Sequence, residues 1–214
     1  MRAINIFRLK QMKFVKWDNK EISPSKIVCI GRNYVAHIKE LNNEIPSEPV
    51  IFIKPNSSIS KEIYSGETDL IHFEGEITFL ISSEKISAVG FGLDLTKREI
   101  QTRLKSLGLP WERAKSFNNS AVFSDFVSFD GDIRDLRLEL HINGERVQQG
   151  GCDLMLYQPD EILKEVKGFL SLEDGDLIMT GTPSGVGPIH KGDQFQGKIF
   201  EKETLIVEGS WIVK

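Results

Sequence analysis

Two carboxylates stand one residue apart in the segment His72-Phe73-Glu74-Gly75-Glu76, at the start of a predicted strand. Alternate side chains of an extended chain share a face, so Glu74 and Glu76 are expected to point the same way. Carboxylates this close repel each other unless a cation or a proton relieves the repulsion. A hard divalent ion such as Mg²⁺ or Mn²⁺ prefers oxygen ligands and would supply that charge. The structural alternative is a solvated acidic edge strand.

A third oxygen ligand is expected from Asp94, which stands just before a predicted helix. In the structural alternative, Asp94 caps that helix or faces its first turn. Arg98 and Gln101 follow on the same helix and project on one face, because they are three residues apart. That face either offers a guanidinium and an amide to a bound carboxylate or meets water.

A histidine and a glutamate stand three residues apart in the stretch 31–40, as His37 and Glu40. On a helix they are neighbours, and a carboxylate that orients a histidine makes it a stronger base for activating water. The stretch lies in a connection of roughly twenty residues between predicted strands, and connections this long are often lids. On an ordinary surface helix the same pair is a weak ion pair.

Two further segments carry groups suited to an anionic ligand. Residues 181–187 contain closely spaced glycines, which let the backbone approach a ligand, and Thr182 can donate its hydroxyl or its N–H to an anion. The loop lacks the spacing of phosphate-binding and dinucleotide-binding loops, and a tight turn is its structural alternative. Lys115 stands among small and apolar residues. If it is buried it requires an anionic partner, and if not it is exposed on a short helix.

The elements that must position these groups are mostly strands. Residues 136–142 alternate with a period of two and lead into Asn143-Gly144, which predicts a type I′ hairpin. A capping-box pattern at residues 96–99 predicts one helix, and Pro159 opens another that buries Phe169 and the apolar residues before it. A short helix around 33–41 is predicted from a weaker pattern. Strands are predicted at 26–30, 50–53, 76–81, 136–142, 145–148, 176–180, 194–201, 204–208 and 211–213.

The composition is that of a globular protein, with 214 residues of which 40% are hydrophobic and 27% charged. No linker or repeat divides the chain, so we expect one domain over residues 1–214, with 1–25 as an N-terminal extension. A net charge of −4 argues against a nucleic-acid partner bound by phosphate neutralisation. No apolar run is long enough to span a membrane, so we expect no membrane partner. Two cysteines and no secretion signal predict a cytoplasmic protein.

Taken in order, these segments resemble the fumarylacetoacetate hydrolase family, in particular its small single-domain branch of acylpyruvases and oxaloacetate decarboxylases. The resemblance runs from about residue 27 to the C-terminus. Each motif is weak alone, but six in the family's order make chance an improbable explanation. They are GRNYVAHIKE (31–40), HFEGE (72–76), LDLTKREIQ (93–101), LPWERAKSF (109–117), QGG (149–151) and GTPSGVG (181–187).

The resemblance implies an α+β, β-rich fold built on a rolled, partly closed mixed sheet with few helices, and commonly a homodimer. It implies Mg²⁺ or Mn²⁺ as cofactor, held by Glu74, Glu76 and Asp94. It also implies catalytic and substrate-binding residues on the other motifs. The catalytic set is His37, Glu40 and Lys115, and the substrate-binding set is Arg32, Arg98, Gln101 and Thr182.

The function implied is a metal-dependent enzyme acting on C–C bonds of short α-keto acids, with hydrolysis of acylpyruvates such as acetylpyruvate and fumarylpyruvate as the first expectation. Alternatives within the family are an oxaloacetate decarboxylase or keto–enol tautomerase, and the isomerase or decarboxylase of 2-hydroxyhepta-2,4-diene-1,7-dioate in aromatic catabolism. Because the sequence has no counterpart of the family's additional N-terminal domain, fumarylacetoacetate itself is a less expected substrate. The non-enzyme alternative is an inactive protein that binds a metal or an α-keto acid. His37 and Lys115 together argue against it.

Overall fold

The computed structural model describes residues 12–41, 43–66 and 69–214, and β-strands make up most of its regular structure. The strands are β1 (Val15–Trp17), β2 (Lys20–Ile22), β3 (Lys26–Gly31), β4 (Val50–Pro55), β5 (Ile59–Ser60), β6 (Ile71–Phe73), β7 (Gly75–Ser82), β8 (Lys85–Asp94), β9 (Thr96–Lys97), β10 (Ala121–Phe123), β11 (Val127–Ser128), β12 (Leu136–Ile142), β13 (Glu145–Gly151), β14 (Leu177–Met179), β15 (Gly187–Pro188), β16 (Gln194–Glu201) and β17 (Thr204–Ile212). The helices are α1 (Val35–Glu40), α2 (Arg98–Ser106), α3 (Glu112–Lys115) and α4 (Pro159–Lys167). Among the helices of the described residues, none has the length and apolar character needed to cross a membrane.

The largest sheet runs in the order β4-β3-β14-β7-β8-β10-β5, with β11 also paired to β8. It is mixed, because β14 pairs in parallel with β3 and β10 in parallel with β5, whereas the other pairs are antiparallel. The sheet curls into a half-barrel, so the predicted rolled, β-rich fold is confirmed. Strand β7 lies inside this sheet, between β14 and β8. The alternative of a solvated acidic edge strand is therefore wrong.

A second, antiparallel sheet of β13-β12-β16-β17 packs against the half-barrel. The predicted hairpin joins β12 to β13, and both turn residues, Asn143 and Gly144, have the positive φ that a type I′ turn requires. Gly197 of β16 allows the close approach of the two sheets, since a Cβ there would lie 2.3 Å from the Phe91 ring on β8. The buried apolar side chains between the sheets form the main core, which holds β7 and β8 rigidly.

Two predictions about helices are wrong. The capping box expected at residues 96–99 is not formed, because the hydroxyl of Thr96 bonds Lys115 and the carbonyl of Asp94 instead of the helix backbone. Phe169 was expected to be buried after the second helix, yet it is 62% exposed, since α4 ends at Lys167. The short helix predicted around residues 33–41 is present as α1.

Asp176, just before β14, ties the beginning of β14 to the beginning of the neighbouring strand β3. Its buried carboxylate accepts hydrogen bonds from Ser25, from the backbone N–H of Glu173 and from both the backbone N–H and the Nζ of Lys26. Burial alone would raise the pKa of Asp176, but these donors, Lys26 first, outweigh it and lower the pKa.

We expect Asp176→Ala to cost about 3 kcal/mol of unfolding free energy at neutral pH, as is typical when one partner of a buried pair is removed. A carboxylate with a lowered pKa stabilises the fold above its unfolded pKa of about 4, and this is lost as pH falls through the lower folded value. The deficit should therefore shrink towards pH 3. Urea unfolding at the two pH values tests this, with the exposed Asp130→Ala as control. An unchanged deficit would contradict it.

Candidate active site

The turn into β7 and the end of β8 bring three carboxylates together. Glu74 immediately precedes β7, Glu76 lies within it, and Asp94 ends β8, where its N–H donates to the carbonyl of Glu74 at 2.9 Å. One carboxylate oxygen from each residue lies within 4.8 Å of the other two. All three side chains are buried. The predicted oxygen cluster therefore exists as geometry, although its residues are 20 positions apart in the sequence at the extremes.

Lys115, at the end of α3, points its ammonium between two of these carboxylates. Its Nζ donates to Glu74 at 2.7 Å, to Asp94 at 2.6 Å and to the hydroxyl of Thr96 at 2.7 Å. The side chain is buried, so the alternative of an exposed lysine on a short helix is wrong. A buried ammonium with two anionic partners satisfies the requirement stated from the sequence.

Lys54, on β4, is a second buried lysine of the cluster, and the sequence analysis missed it. Its Nζ lies 2.8 Å from Oδ1 of Asp94, at an angle that makes no hydrogen bond, and it donates to Ser120 at 3.1 Å and to the carbonyl of Lys115. The one sequence signal was a lysine at the end of an otherwise apolar strand. Since no part of Lys54 is exposed, its charge belongs to the acid cluster.

The carboxylates of the cluster differ electrostatically. Burial raises the pKa of Glu74, but the charges of Lys115 and Arg98 outweigh it and hold this pKa well below its usual range. Burial, and then the charges of Asp94 and Glu74, raise the pKa of Glu76 well above its usual range. The charged form of Glu76 is thus disfavoured by its burial and by its acidic neighbours, despite the nearby lysine. A further cation beside Glu76 would relieve this.

The residues fit a hard divalent ion. The donor set consists of carboxylate oxygens, and Oδ1 of Asp94 is buried with no hydrogen-bond partner among the described residues. Such oxygens are the ligands that Mg²⁺ and Mn²⁺ prefer. Glu76 is held for this role by the N–H of Gly181, which donates to its Oε2 at 2.8 Å.

Arg98 and Gln101 lie at the beginning of α2, beside the acid cluster. Arg98 donates to Oε1 of Glu74 and, at 2.7 Å, to the side-chain oxygen of Gln101. Both line a cavity of about 30 Å³, as do Glu74 and Lys115. The shared helix face predicted from their spacing is therefore turned towards the cluster.

His37 and Glu40 form a pair on α1, beside the same cavity. Nδ1 of His37 lies 3.1 Å from Oε2 of Glu40, and His37 is 6% exposed and lines the cavity. The other oxygen of Glu40 accepts the N–H of Gly185 at 2.9 Å. The glycine-rich loop thus fixes the carboxylate, which in turn orients the imidazole, so the pair is not an ordinary surface ion pair.

Thr182 lies in this region, but its hydroxyl is engaged within the protein. It donates to the carbonyl of Gly75 at 2.8 Å and accepts from the side chain of Gln148 at 2.8 Å. Gln148 also accepts the N–H of Gly75 at 2.9 Å, so the peptide between Glu74 and Glu76 is held on both sides. Sequence reasoning missed Gln148, which directly precedes the QGG motif on β13.

Arg32 follows β3 and also lines the cavity. Its φ of 57° lies in the left-handed region, and its Nε is buried without a hydrogen-bond partner among the described residues. A non-glycine residue held in this region carries local strain, and such strain is concentrated at functional sites. The cavity therefore joins an oxygen cluster, an oriented histidine and several cations, which suits a small anionic ligand with metal-binding oxygens.

The family model for the fumarylacetoacetate (FAA) hydrolase C-terminal domain matches residues 26–210. The chain is 38% identical to oxaloacetate tautomerase YcgM of Escherichia coli, over 79% of this chain and 86% of that protein. It is 35% identical to the human mitochondrial oxaloacetate tautomerase FAHD1, over 81% of this chain and 86% of that protein.

A solved structure extends the comparison to a metal complex. The chain resembles the crystal structure of fumarylpyruvate hydrolase from Pseudomonas aeruginosa in complex with Mn²⁺ and pyruvate, with a TM-score of 0.87 at 26% identity, over 98% of this chain and 99% of that one. The curled sheet, the clustered motifs and these matches lead to one conclusion. This chain belongs to the fumarylacetoacetate hydrolase family.

Proposed function

We propose that the protein is a divalent-metal-dependent enzyme that interconverts the keto and enol forms of oxaloacetate. The observation that carries this is one cavity lined both by Glu74, a member of the buried cluster of Glu74, Glu76 and Asp94, and by the oriented His37. The bacterial and human relatives named above are oxaloacetate tautomerases, which supports this reaction over the acylpyruvate hydrolysis expected first from the sequence.

Glu74, Glu76 and Asp94 would hold the ion, either Mg²⁺ or Mn²⁺. When bound, the ion supplies a Lewis acid that stabilises negative charge developing on the keto oxygen of a 2-oxo acid. Arg98 and Gln101, adjacent on α2, bind the carboxylate next to that keto group. Lys115 adds positive charge at the same end of the substrate.

His37 is the proposed proton carrier. With Nδ1 fixed by Glu40, its other ring nitrogen is free to take a proton from C3 of the keto form as the C–H bond breaks. The electron pair of that bond forms the C2–C3 double bond, and the protonated His37 then gives its proton to the keto oxygen, which yields the enol and restores the neutral imidazole. The reverse reaction uses the same groups.

His37→Ala is expected to slow enolisation by about 100-fold or more, the size usual for a general base. The measurement is exchange of the C3 protons of oxaloacetate in D₂O, followed by NMR with Mg²⁺ present. His190→Ala, at an exposed histidine, is the matched control. Exchange at the wild-type rate in His37→Ala would remove this residue from the mechanism.

Acylpyruvate hydrolysis is the second candidate, because the oriented His37–Glu40 pair would also activate water, and the neighbouring Pseudomonas structure is a fumarylpyruvate hydrolase. Oxaloacetate, acetylpyruvate and fumarylpyruvate assayed by NMR, with and without EDTA, separate the reactions. Tautomerase activity predicts rapid EDTA-sensitive proton exchange without cleavage. Cleavage of acetylpyruvate at comparable kcat/KM would favour the hydrolase, and binding without any turnover would favour a non-catalytic protein.

We also propose that residues 1–214 work as one catalytic domain with an N-terminal extension over 1–25, in agreement with the family match that begins at residue 26. The homodimer is proposed from the family resemblance, and sedimentation equilibrium tests it by the mass in solution. The cytoplasmic location remains a prediction from the sequence.

A further inference from the structure

A second group of positive charges lines the cavity outside the acid cluster. Arg98, Gln101 and Lys105 stand at positions i, i+3 and i+7 of α2, so they share one helix face, and all three line the cavity. Arg32 lines it from the end of β3. Arg98 is bonded to Glu74, and Lys105 and Arg32 add positive charge to the lining of the same cavity.

Lys105 is half-buried among cations. Its Nζ donates to the side-chain oxygen of Asn43 at 2.6 Å, a neutral partner in the segment after α1. Burial, followed by the charges of Arg32 and Arg98, lowers the pKa of Lys105. Within the described ranges, no carboxylate forms an ion pair with Lys105 or Arg32.

Arg32 is also a cation without an anionic partner among the described residues. Its Nε is buried without a hydrogen-bond partner among the described residues, and its backbone is held in the strained left-handed region. Burying a guanidinium nitrogen without a partner is unfavourable. An anion in the cavity would give Arg32 and Lys105 the partner that the described part of the protein does not provide.

We propose that Lys105 and Arg32 form a subsite for the distal carboxylate of a dicarboxylic 2-oxo acid. The inference rests on the proposed function and adds which class of substrate the active site selects. Arg98 and the acid cluster receive the oxo-carboxylate end, and the opposite end of a four-carbon chain then meets the two cations. A substrate with a neutral distal end leaves both without a counter-charge, so the site selects dianions over monoanions.

The test compares oxaloacetate with 2-oxobutanoate, which has a methyl group in place of the distal carboxylate. Binding is measured by calorimetry on the intact protein with Mg²⁺. Lys105→Met should weaken oxaloacetate binding by about 10-fold or more, the equivalent of one charge-assisted hydrogen bond, and 2-oxobutanoate binding by less than about 3-fold. Lys105→Arg should keep the preference for oxaloacetate. Arg103→Met, at an exposed position of the same helix, is the matched control.

Equal weakening of both ligands in Lys105→Met, or no weakening of either, would overturn the subsite. Lys105→Gln repeats the test if the methionine variant does not fold. Proton exchange at C3 of both ligands is followed in parallel by NMR. Selective binding that depends on Lys105, without accelerated exchange, would refute the tautomerase and leave the subsite standing. Accelerated exchange with no dependence of selectivity on Lys105 would refute the subsite and leave the tautomerase standing.

Discussion

Glu76→Gln is expected to weaken binding of Mg²⁺ or Mn²⁺ by about 100-fold or more and to remove metal-dependent turnover. Loss of a residue that only supports a ligand already costs 10–100-fold in metal affinity, so loss of a ligand should cost at least as much. The glutamine has the same shape, and its side-chain oxygen can still accept the N–H of Gly181. The substitution therefore removes a charge with little change in packing.

The fold should tolerate Glu76→Gln without metal. Since burial and the neighbouring carboxylates raise the pKa of Glu76, its charge opposes folding, and the melting temperature in EDTA should be unchanged or higher. Calorimetric titration with Mn²⁺ and thermal unfolding give both readouts. Glu84→Gln, at the exposed turn between β7 and β8, is the control. Metal affinity equal to that of the wild type would refute Glu76 as a ligand.

Lys115→Met is expected to lower the unfolding free energy in EDTA by about 3–5 kcal/mol. The substitution leaves Glu74 and Asp94 buried without the ammonium that bridges them, and removing one partner of a buried ion-pair network carries a penalty of this size. A bound divalent ion would supply positive charge at the same carboxylates. The loss should therefore be smaller at saturating Mg²⁺.

Urea unfolding of Lys115→Met with EDTA and with Mg²⁺ measures this difference. Lys97→Met is the control, because Lys97 pairs with Asp69 at a partly exposed position and should lose less than about 1 kcal/mol in either condition. An equal loss for Lys115→Met with and without the ion would contradict the idea that ammonium and metal compensate the same charges.

Local patterns in the sequence predicted the acidic side chains well. The alternation that puts Glu74 and Glu76 on one face is a property of any strand, and the i, i+3 spacing of His37 and Glu40 is a property of any helix. Each of these two predictions required only that the segment be correctly assigned as strand or helix. The type I′ hairpin after β12 was predictable for the same reason, since Asn143-Gly144 favours that turn by itself.

Contacts between distant segments could not be read in this way. Strand β8 was missed because its glycines weaken a strand pattern. A Cβ at Gly90 would lie 2.9 Å from the Phe126 ring, and one at Gly92 would lie 2.4 Å from Thr78. These glycines are needed to make room for side chains from segments that are distant in the sequence. Lys54 was missed likewise, because its partners Asp94 and Ser120 come from β8 and from the segment after α3.

Tertiary contacts also overrode one local signal. Thr96 and Glu99 match a capping box, but the buried ammonium of Lys115 takes the Thr96 hydroxyl at 2.7 Å. A hydrogen bond to a charged group is stronger than one to a backbone amide, so the cluster outcompetes the cap. The residues of a site are thus easier to predict than the bonds they form.

Anomalous scattering from crystals grown with Mn²⁺ and oxalate tests the central claim most directly. The account predicts one manganese peak in coordination contact with an oxygen of each of Glu74, Glu76 and Asp94, with oxalate oxygens on the same ion. A peak that contacts none of these carboxylates, or no peak at saturating Mn²⁺, would contradict it.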